Sequence, residues 1–287
     1  MLTIGIKTFC RPHTLNESLH TLFTKNIIYY PIIIVDDSLN KYKVQNMYVI
    51  NKYKKKYSQD IKLIFLPFDS GLSKGRNVIV NNCKTKYLMI IDDSRTFTTN
   101  LNVTNMIRFL EENPDYHLIS GVIDSRKGIN SHFSGLFNSI YENKDGVINI
   151  HAGPIKKIEN KLFKNIYDTN IGLNVFIART ECLKNVKWDD RQKLGEHKLF
   201  FYDWFKYGYK CAICFDCKFE CVNFRKYPDN LSSYRKRAST EFNSNDRIRI
   251  NFSDKTKYKY NISHFLILII FILIVYLIIL KAIYIKN

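Results

Sequence analysis

Paired carboxylates at the end of an apolar segment are the residues of this 287-residue chain best suited to chemistry. The mostly apolar run Tyr87–Ile91 leads directly into Asp92 and Asp93, and Ser94 follows. A buried strand that ends in two acids presents carboxylate oxygens, which are the ligands that Mg²⁺ and Mn²⁺ prefer. The stretch therefore predicts a divalent-cation site that serves a cation-dependent reaction.

Two further polar pairs close apolar segments in the same way. Lys7 and Thr8 follow "LTIGI", and Asp36 and Asp37 follow "PIIIV". Open α/β sheets bind ligands at the carboxyl ends of their strands, so three polar pairs at one edge predict a binding site. An alternative interpretation is that Asp36 and Asp37 cap the helix that follows them.

The elements that must position these pairs alternate between strands and helices. Apolar segments such as "PIIIVDDS" and "YLMIIDD" are separated by helical stretches such as "TLNESLHTLF" and "SKGRNVIVNNC". Continuous apolar strands separated by helices predict an α/β fold, in which helices flank both faces of a mostly parallel sheet.

The C-terminal part of the chain has a different character. Phe265–Leu280 is apolar throughout and carries no charge. With extension to Ile285 it would form a helix of about 31 Å, which matches the ~30 Å hydrocarbon core of a bilayer. We therefore expect a transmembrane helix over residues 264–285 after a basic linker over residues 241–263, although a buried core helix is an alternative. More basic residues precede this helix than follow it, which predicts a single-pass membrane protein with its N-terminal body in the cytoplasm.

Two other patterns point to different classes of protein. The formal net charge of +18 and runs such as "NKYKKKYSQD" are typical of proteins that bind nucleic acid or anionic lipid. No nucleic-acid-binding motif is present in the sequence, so we do not expect a nucleic-acid partner. Four cysteines have the spacing of an iron-sulfur or zinc cluster, although the apolar residues between them also fit a strand that would separate the thiols. They are Cys211, Cys214, Cys217 and Cys221.

Seven motifs occur in the order "TIGIKTFCRP", "IIIVDDS", "GLSKGRN", "TKYLMIIDDS", "NVFIART", "WDDRQKLGEHKLFF" and "RKYPDNLSSYRKR". In this order they resemble the inverting glycosyltransferases with the GT-A fold, in particular the β-1,4-N-acetylgalactosaminyltransferases that build ganglioside-type glycans. The resemblance implies a GT-A domain over residues 1–240, with a Rossmann-like nucleotide-sugar-binding half (1–100) and an acceptor and catalytic half (101–240). It also implies that GalNAc or another N-acetylhexosamine moves, with inversion, from a UDP-sugar to a hydroxyl of a glycan acceptor.

The resemblance assigns roles to the polar pairs. Asp92 and Asp93 match the family's DxD-type motif, which holds Mn²⁺ or Mg²⁺ beside the donor diphosphate. Asp36 and Asp37 match the acids that accept hydrogen bonds from uracil and ribose. The positions that match the family's donor-binding residues are Lys7, Thr8, Asp36, Asp37, Gly75, Arg76 and Asn77.

The motif "GEHKLFF" stands where the family carries its catalytic base. An inverting transfer needs a base that takes the proton from the acceptor hydroxyl as it attacks the sugar carbon. Glu196 is the first candidate for this base and His197 the second. In the alternative interpretation Glu196 is a first-turn acid that stabilises the following helix.

Two departures from the family pattern fall on the cation site. Ser94 replaces a third acid, and Cys221 stands where the family usually has a histidine. A thiolate is a soft ligand that suits Mn²⁺ poorly. Cys221 is therefore a third candidate ligand beside Asp92 and Asp93. We expect this site to bind the cation weakly. A catalytically degenerate transferase-like membrane protein is the main alternative to an active enzyme.

Overall fold

The computed structural model describes residues 1–25, 30–125, 128–129, 137–142, 148–152, 156–222 and 250–252. Contacts between Cα atoms divide the chain into two units, Met1–Asn251 and Phe252–Asn287. The candidate site lies in the first unit.

The N-terminal part alternates strands and helices, as the sequence predicts. Its elements are β1 (Leu2–Thr8), α1 (Pro12–Thr24), β2 (Ile32–Asp36), α2 (Asn40–Tyr57), β3 (Ile61–Phe65), α3 (Leu72–Asn82) and β4 (Tyr87–Asp92). The four strands lie in the order β4-β1-β2-β3, and every neighbouring pair is parallel. Helices supply the crossovers that parallel strands require.

The register of these strands brings the three polar pairs to one edge of the sheet. Lys7 lies opposite Asp92 of β4, and Thr8 lies opposite Asp36 of β2. The edge predicted from the sequence is therefore a feature of the fold, because in-register parallel strands end at the same level.

Over the described residues, the remaining elements are three helices and nine strands, and six of these strands, running in both directions, extend the main sheet. They are β5 (Arg95–Phe97), α4 (Val103–Glu112), β6 (Tyr116–Ser125), β7 (Gly128–Ile129), β8 (Phe137–Glu142), β9 (Ile148–Ala152), β10 (Ile166–Thr169), β11 (Phe176–Arg179), α5 (Thr180–Asn185), α6 (His197–Lys206), β12 (Lys210–Cys221) and β13 (Ile250–Phe252). In the main sheet β11 is antiparallel to both β4 and β6, and β12 is parallel to β6 but antiparallel to β10. Strands β8 and β9 form an antiparallel pair in a small second sheet. The expectation of a mostly parallel sheet is thus corrected to a mixed sheet, since apolar strands reveal burial but not direction.

Helices flank both faces of the main sheet. One core cluster packs α1, α2 and α4 against it, and the other packs α3, α5 and α6. Strand β12, the last strand of the main sheet along the chain, sends Cys211 into the second cluster and Cys214 and Cys217 into the first. The alternative of a four-cysteine metal cluster is therefore wrong, because these thiols are buried on opposite faces of a strand.

The membrane prediction falls outside the described residues. Within the described part of the chain, no helix combines the length and apolar character needed to cross a membrane. Residues 264–285 are not described, and of the predicted linker only β13 is. The transmembrane helix stays a prediction.

Candidate active site

Lys7 ties the end of β1 to the loop that follows β2. Its side chain is almost fully buried, and its ammonium group forms an ion pair with Asp37 and donates to the carbonyl oxygen of Thr8 at 2.7 Å. The other oxygen of Asp37 accepts from the backbone N–H of Gly71, just before α3, at 2.8 Å. Asp37 therefore fixes the relative positions of β1, β2 and the start of α3.

Asp36 holds its own loop to α2. Its Oδ1 accepts from the N–H of Ser38 at 2.8 Å, and its Oδ2 accepts from the amide of Asn46 at 2.9 Å. The N-cap position of α2 is Leu39, where no side chain makes a capping bond. The alternative that these acids cap the following helix is therefore wrong.

Two glycines let α3 approach the site closely. Gly71 has φ +93°, a conformation that favours glycine, and a Cβ there would lie 2.7 Å from the Cα of Lys193. A Cβ on Gly75 would lie 2.2 Å from Cδ of Lys7. The structure thus gives Gly75 a packing role beside Lys7.

Asp93 is buried completely and is bound on both oxygens. Thr8 donates its hydroxyl to Oδ2 at 2.7 Å, and Arg11 forms an ion pair with Oδ1. Cys10 has φ 54°, and its N–H donates to the Ser38 hydroxyl at 2.6 Å, which anchors the turn before Arg11. Burial raises the pKa of Asp93, although Arg11 and the Thr8 hydroxyl act in the opposite direction.

Asp92 is the more open of the two acids, with a side chain 19% exposed. Its Oδ1 accepts from Arg76 at 2.8 Å. Burial alone would raise the pKa of Asp92, but the charges of Arg76 and Arg95 outweigh burial and leave this pKa below its usual range. Asp92 is therefore ionised and partly accessible.

Arg76 joins the acid pair to the candidate base. Its guanidinium is fully buried and binds both Asp92 and Glu196. Burial would lower the pKa of Arg76, yet the two carboxylates raise it. One buried cation therefore sets the spacing between the end of β4 and the start of α6.

Asn174 contacts both candidate bases, Glu196 and His197. The Asn174 amide donates to Glu196 at 3.3 Å, and its oxygen lies 2.9 Å from Nδ1 of His197. Burial, followed by the charge of Arg76, lowers the pKa of His197 to about 3. Glu196 is 3% exposed and occupies the N-cap position of α6 without capping it through its side chain, so the alternative role as a helix-stabilising acid has no capping bond to support it.

Asn77 supports the loop that leads to Glu196. Its amide donates to the carbonyl oxygen of Trp188 and to Asp190, both at 2.7 Å, and its oxygen accepts from the N–H of Trp188 at 3.0 Å. Arg76 and Asn77 are thus buried supports of the site in this structure. Their contact with a nucleotide stays a prediction.

The described residues do not fit the divalent cation that the sequence predicts. Both oxygens of Asp93 are occupied, Asp92 is bound to Arg76, and Cys221 lies opposite Arg95, which donates to its sulfur. Over the described ranges, no group of three or more histidine, cysteine or acidic residues could hold a metal ion. Arginine side chains occupy the carboxylates that a cation would need.

Sequence reasoning missed Arg11 and Asn174. Arg11 lies in the loop between β1 and α1, and Asn174 lies in the loop before β11. The only available signals were their positions inside or next to the motifs "TIGIKTFCRP" and "NVFIART".

Comparison with protein families matches residues 3–176 to the family described as Glycosyl transferase family 2. The beta-1,4 N-acetylgalactosaminyltransferase 1 of Rattus norvegicus is 26% identical over 215 residues, which cover 71% of this chain and 36% of that protein. The beta-1,4 N-acetylgalactosaminyltransferase 2 of Mus musculus is also 26% identical, over 208 residues and with the same coverage of 71% and 36%. The matched part of the chain spans only 36% of the length of each of these relatives.

Solved structures share the fold at low sequence identity. S. aureus TarS 1-349 in complex with UDP-GlcNAc superposes with a TM-score of 0.55 at 15% identity, covering 85% of this chain and 67% of that one. GalNAc-T7 with UDP, GalNAc and Mn²⁺ gives a TM-score of 0.57 at 15% identity, covering 78% of this chain and 44% of that one. The fold is GT-A-like, with a mixed sheet flanked by helices.

Proposed function

The chain belongs to glycosyl transferase family 2, and we propose that it is a glycosyltransferase that transfers GalNAc or another N-acetylhexosamine, with inversion, from a UDP-sugar to a hydroxyl of a glycan acceptor. The observation that carries the proposal is the buried ion-pair chain Asp92–Arg76–Glu196, which links the predicted donor-side acids to the predicted base. The TarS complex with UDP-GlcNAc and the GalNAc-T7 complex with UDP and GalNAc support a UDP-sugar as the donor class.

The donor would lie at the carboxyl edge of β1, β2 and β4. Asp36 and Asp37 are buried, and their hydrogen bonds hold the loop that follows β2 in place. The backbone of this loop would therefore contact the uridine. The departing UDP carries negative charge, which cationic groups must stabilise. Arg11 and Arg95 are the guanidinium groups next to Asp92 and Asp93 that retain exposure at this edge. They are the proposed partners of the diphosphate.

Glu196 is the proposed base. It would take the proton from the acceptor hydroxyl while that oxygen forms a bond to the anomeric carbon and the bond from this carbon to the UDP oxygen breaks. Arg76 and Asn174 would orient the Glu196 carboxylate, since both donate to it. The depressed pKa of His197 makes this ring a weak base, which supports Glu196 over His197.

A release assay with a panel of donors tests the proposal. The full chain is incubated with UDP-GalNAc, UDP-GlcNAc or UDP-Gal, with and without galactose- or GalNAc-terminated glycans, in either Mn²⁺ or excess EDTA. We expect UDP release that an acceptor stimulates and that persists in EDTA. Release confined to Mn²⁺ would reject the arginine pair as the diphosphate partner, and no release with any donor would reject transferase activity.

The occupied acids also favour a second candidate, a degenerate transferase that binds UDP without turnover. Asp37, Asp93 and Glu196 are all buried and bound to basic side chains. Calorimetry separates the candidates: UDP binding without release from any donor supports degeneracy, and UDP binding with release supports the enzyme.

A further inference from the structure

Helix α2 carries an outward face that the proposed sugar transfer does not use. The helix contains six lysines and no acidic residue. Asn46, Ile50 and Tyr53 form its buried side, and the first core cluster includes Ile50 and Tyr53. The opposite side of the helix therefore faces solvent.

Residues spaced three or four apart form this outward side, which we call the α2 face. All are exposed, and they are Lys41, Val44, Tyr48, Asn51, Lys52 and Lys55. Val44 is 61% exposed and Tyr48 is 75% exposed, and neighbouring Met47 is 41% exposed. Apolar side chains thus occupy the middle of a basic surface.

The apolar exposure continues beyond the helix. Leu39, just before α2, is 36% exposed, and Phe65, at the end of β3, is 45% exposed. Lys43 of α2 places its ammonium group 5.5 Å from the centre of the Phe65 ring. Exposed basic and apolar side chains therefore extend from α2 to the end of β3.

We propose that the α2 face binds the surface of a bilayer that contains anionic lipid. Lysine ammonium groups meet lipid phosphates and carboxylates in the headgroup layer, and their aliphatic stems extend along apolar surface. Val44, Met47 and Tyr48 would enter the boundary between headgroups and acyl chains, as the apolar side of an interfacial helix does. A nucleic acid would use the lysines but would gain nothing from Val44 and Met47, which favours lipid over another polyanion.

A tryptophan reporter tests this proposal at the α2 face itself. The native Trp188 and Trp204 are 2% and 0% exposed, so Tyr48→Trp adds the one tryptophan that reaches solvent among the described residues. We expect its emission to shift to shorter wavelength and to be quenched by brominated vesicles that contain phosphatidylserine. Vesicles of brominated phosphatidylcholine alone should quench it much less.

The matched control is Tyr207→Trp, at a position that is 59% exposed and lies just after α6. Because the sequence also predicts a C-terminal anchor, mere attachment to vesicles would affect both reporters alike, whereas docking of the α2 face quenches Trp at position 48 selectively. Changing Lys41, Lys52 and Lys55 together to Gln in the Tyr48→Trp chain should weaken the apparent vesicle affinity by about tenfold or more.

Three results would overturn the proposal. They are equal quenching at positions 48 and 207, quenching that does not depend on phosphatidylserine, and a response to single-stranded DNA but not to vesicles. Circular dichroism identical to that of the native chain confirms that each variant is folded before it is compared.

Discussion

At the residue scale, Arg76 connects the two parts of the candidate site. We predict that Arg76→Gln lowers the free energy of unfolding by about 3 to 5 kcal/mol, because Glu196 and Asp92 would lose their shared buried cation. Urea unfolding measures the change. The matched control is Arg108→Gln, which breaks an exposed pair with Glu112 and should cost at most about 1 kcal/mol. Equal effects of the two changes would contradict the bridging role.

The titration of His197 gives a second residue-scale prediction. An unfolded chain takes up a proton at this histidine near pH 6.5, whereas the folded chain stays neutral there down to about pH 3. The stability that the neutral ring contributes is therefore complete above pH 6.5 and is lost as the pH falls from 6.5 toward 3.

We predict that His197→Asn loses less stability than the native chain between about pH 7 and about pH 4.5, since the variant lacks this group. Thermal melts across that range measure the difference in Tm. If the Tm of the two proteins falls equally with pH, burial does not hold the His197 ring neutral.

At the element scale, the close approach of α3 to β1 depends on Gly75. Alanine is the better helix former by about 1 kcal/mol, so propensity alone predicts that Gly75→Ala stabilises the protein. We predict the opposite, because the new Cβ would lie 2.2 Å from Cδ of Lys7, whose ammonium group is already bound to Asp37 and Thr8. A lower Tm and weaker UDP binding are the expected results, and a higher Tm with unchanged UDP binding would contradict them.

The elements also show what the sequence could and could not predict. Strands β1, β2 and β4 and their polar ends were predictable, because continuous apolar runs followed by polar pairs are local patterns. The insertion of antiparallel β11 between β4 and β6 was not predictable, because β11 begins at Phe176, far along the chain from the end of β4 at Asp92, and no local pattern reveals such a pairing. Likewise, the sequence showed Asp92 and Asp93 as paired acids but not their ion pairs. Arg76, the partner of Asp92, lies in α3, and Arg11, the partner of Asp93, lies in the loop after β1.

At the scale of the whole molecule, the sequence predicts which side of the membrane the N-terminal body faces. The excess of basic residues before residues 264–285 predicts that the N-terminal body faces the cytoplasm. Protease added to intact microsomes should therefore digest this body. Its protection, or glycans attached to Asn230 or Asn261, would show the reverse orientation.

Glu196 is the proposed base in transfer from a UDP-sugar, and the rate of UDP release by Glu196→Gln tests this role most directly. On the best donor and acceptor, this variant should lose about 100-fold or more in rate while its UDP affinity by calorimetry stays close to that of the native chain. Glu111→Gln, a change at an exposed carboxylate, should keep the native rate. A Glu196→Gln variant that releases UDP as fast as the native chain would contradict the role of Glu196 as the base.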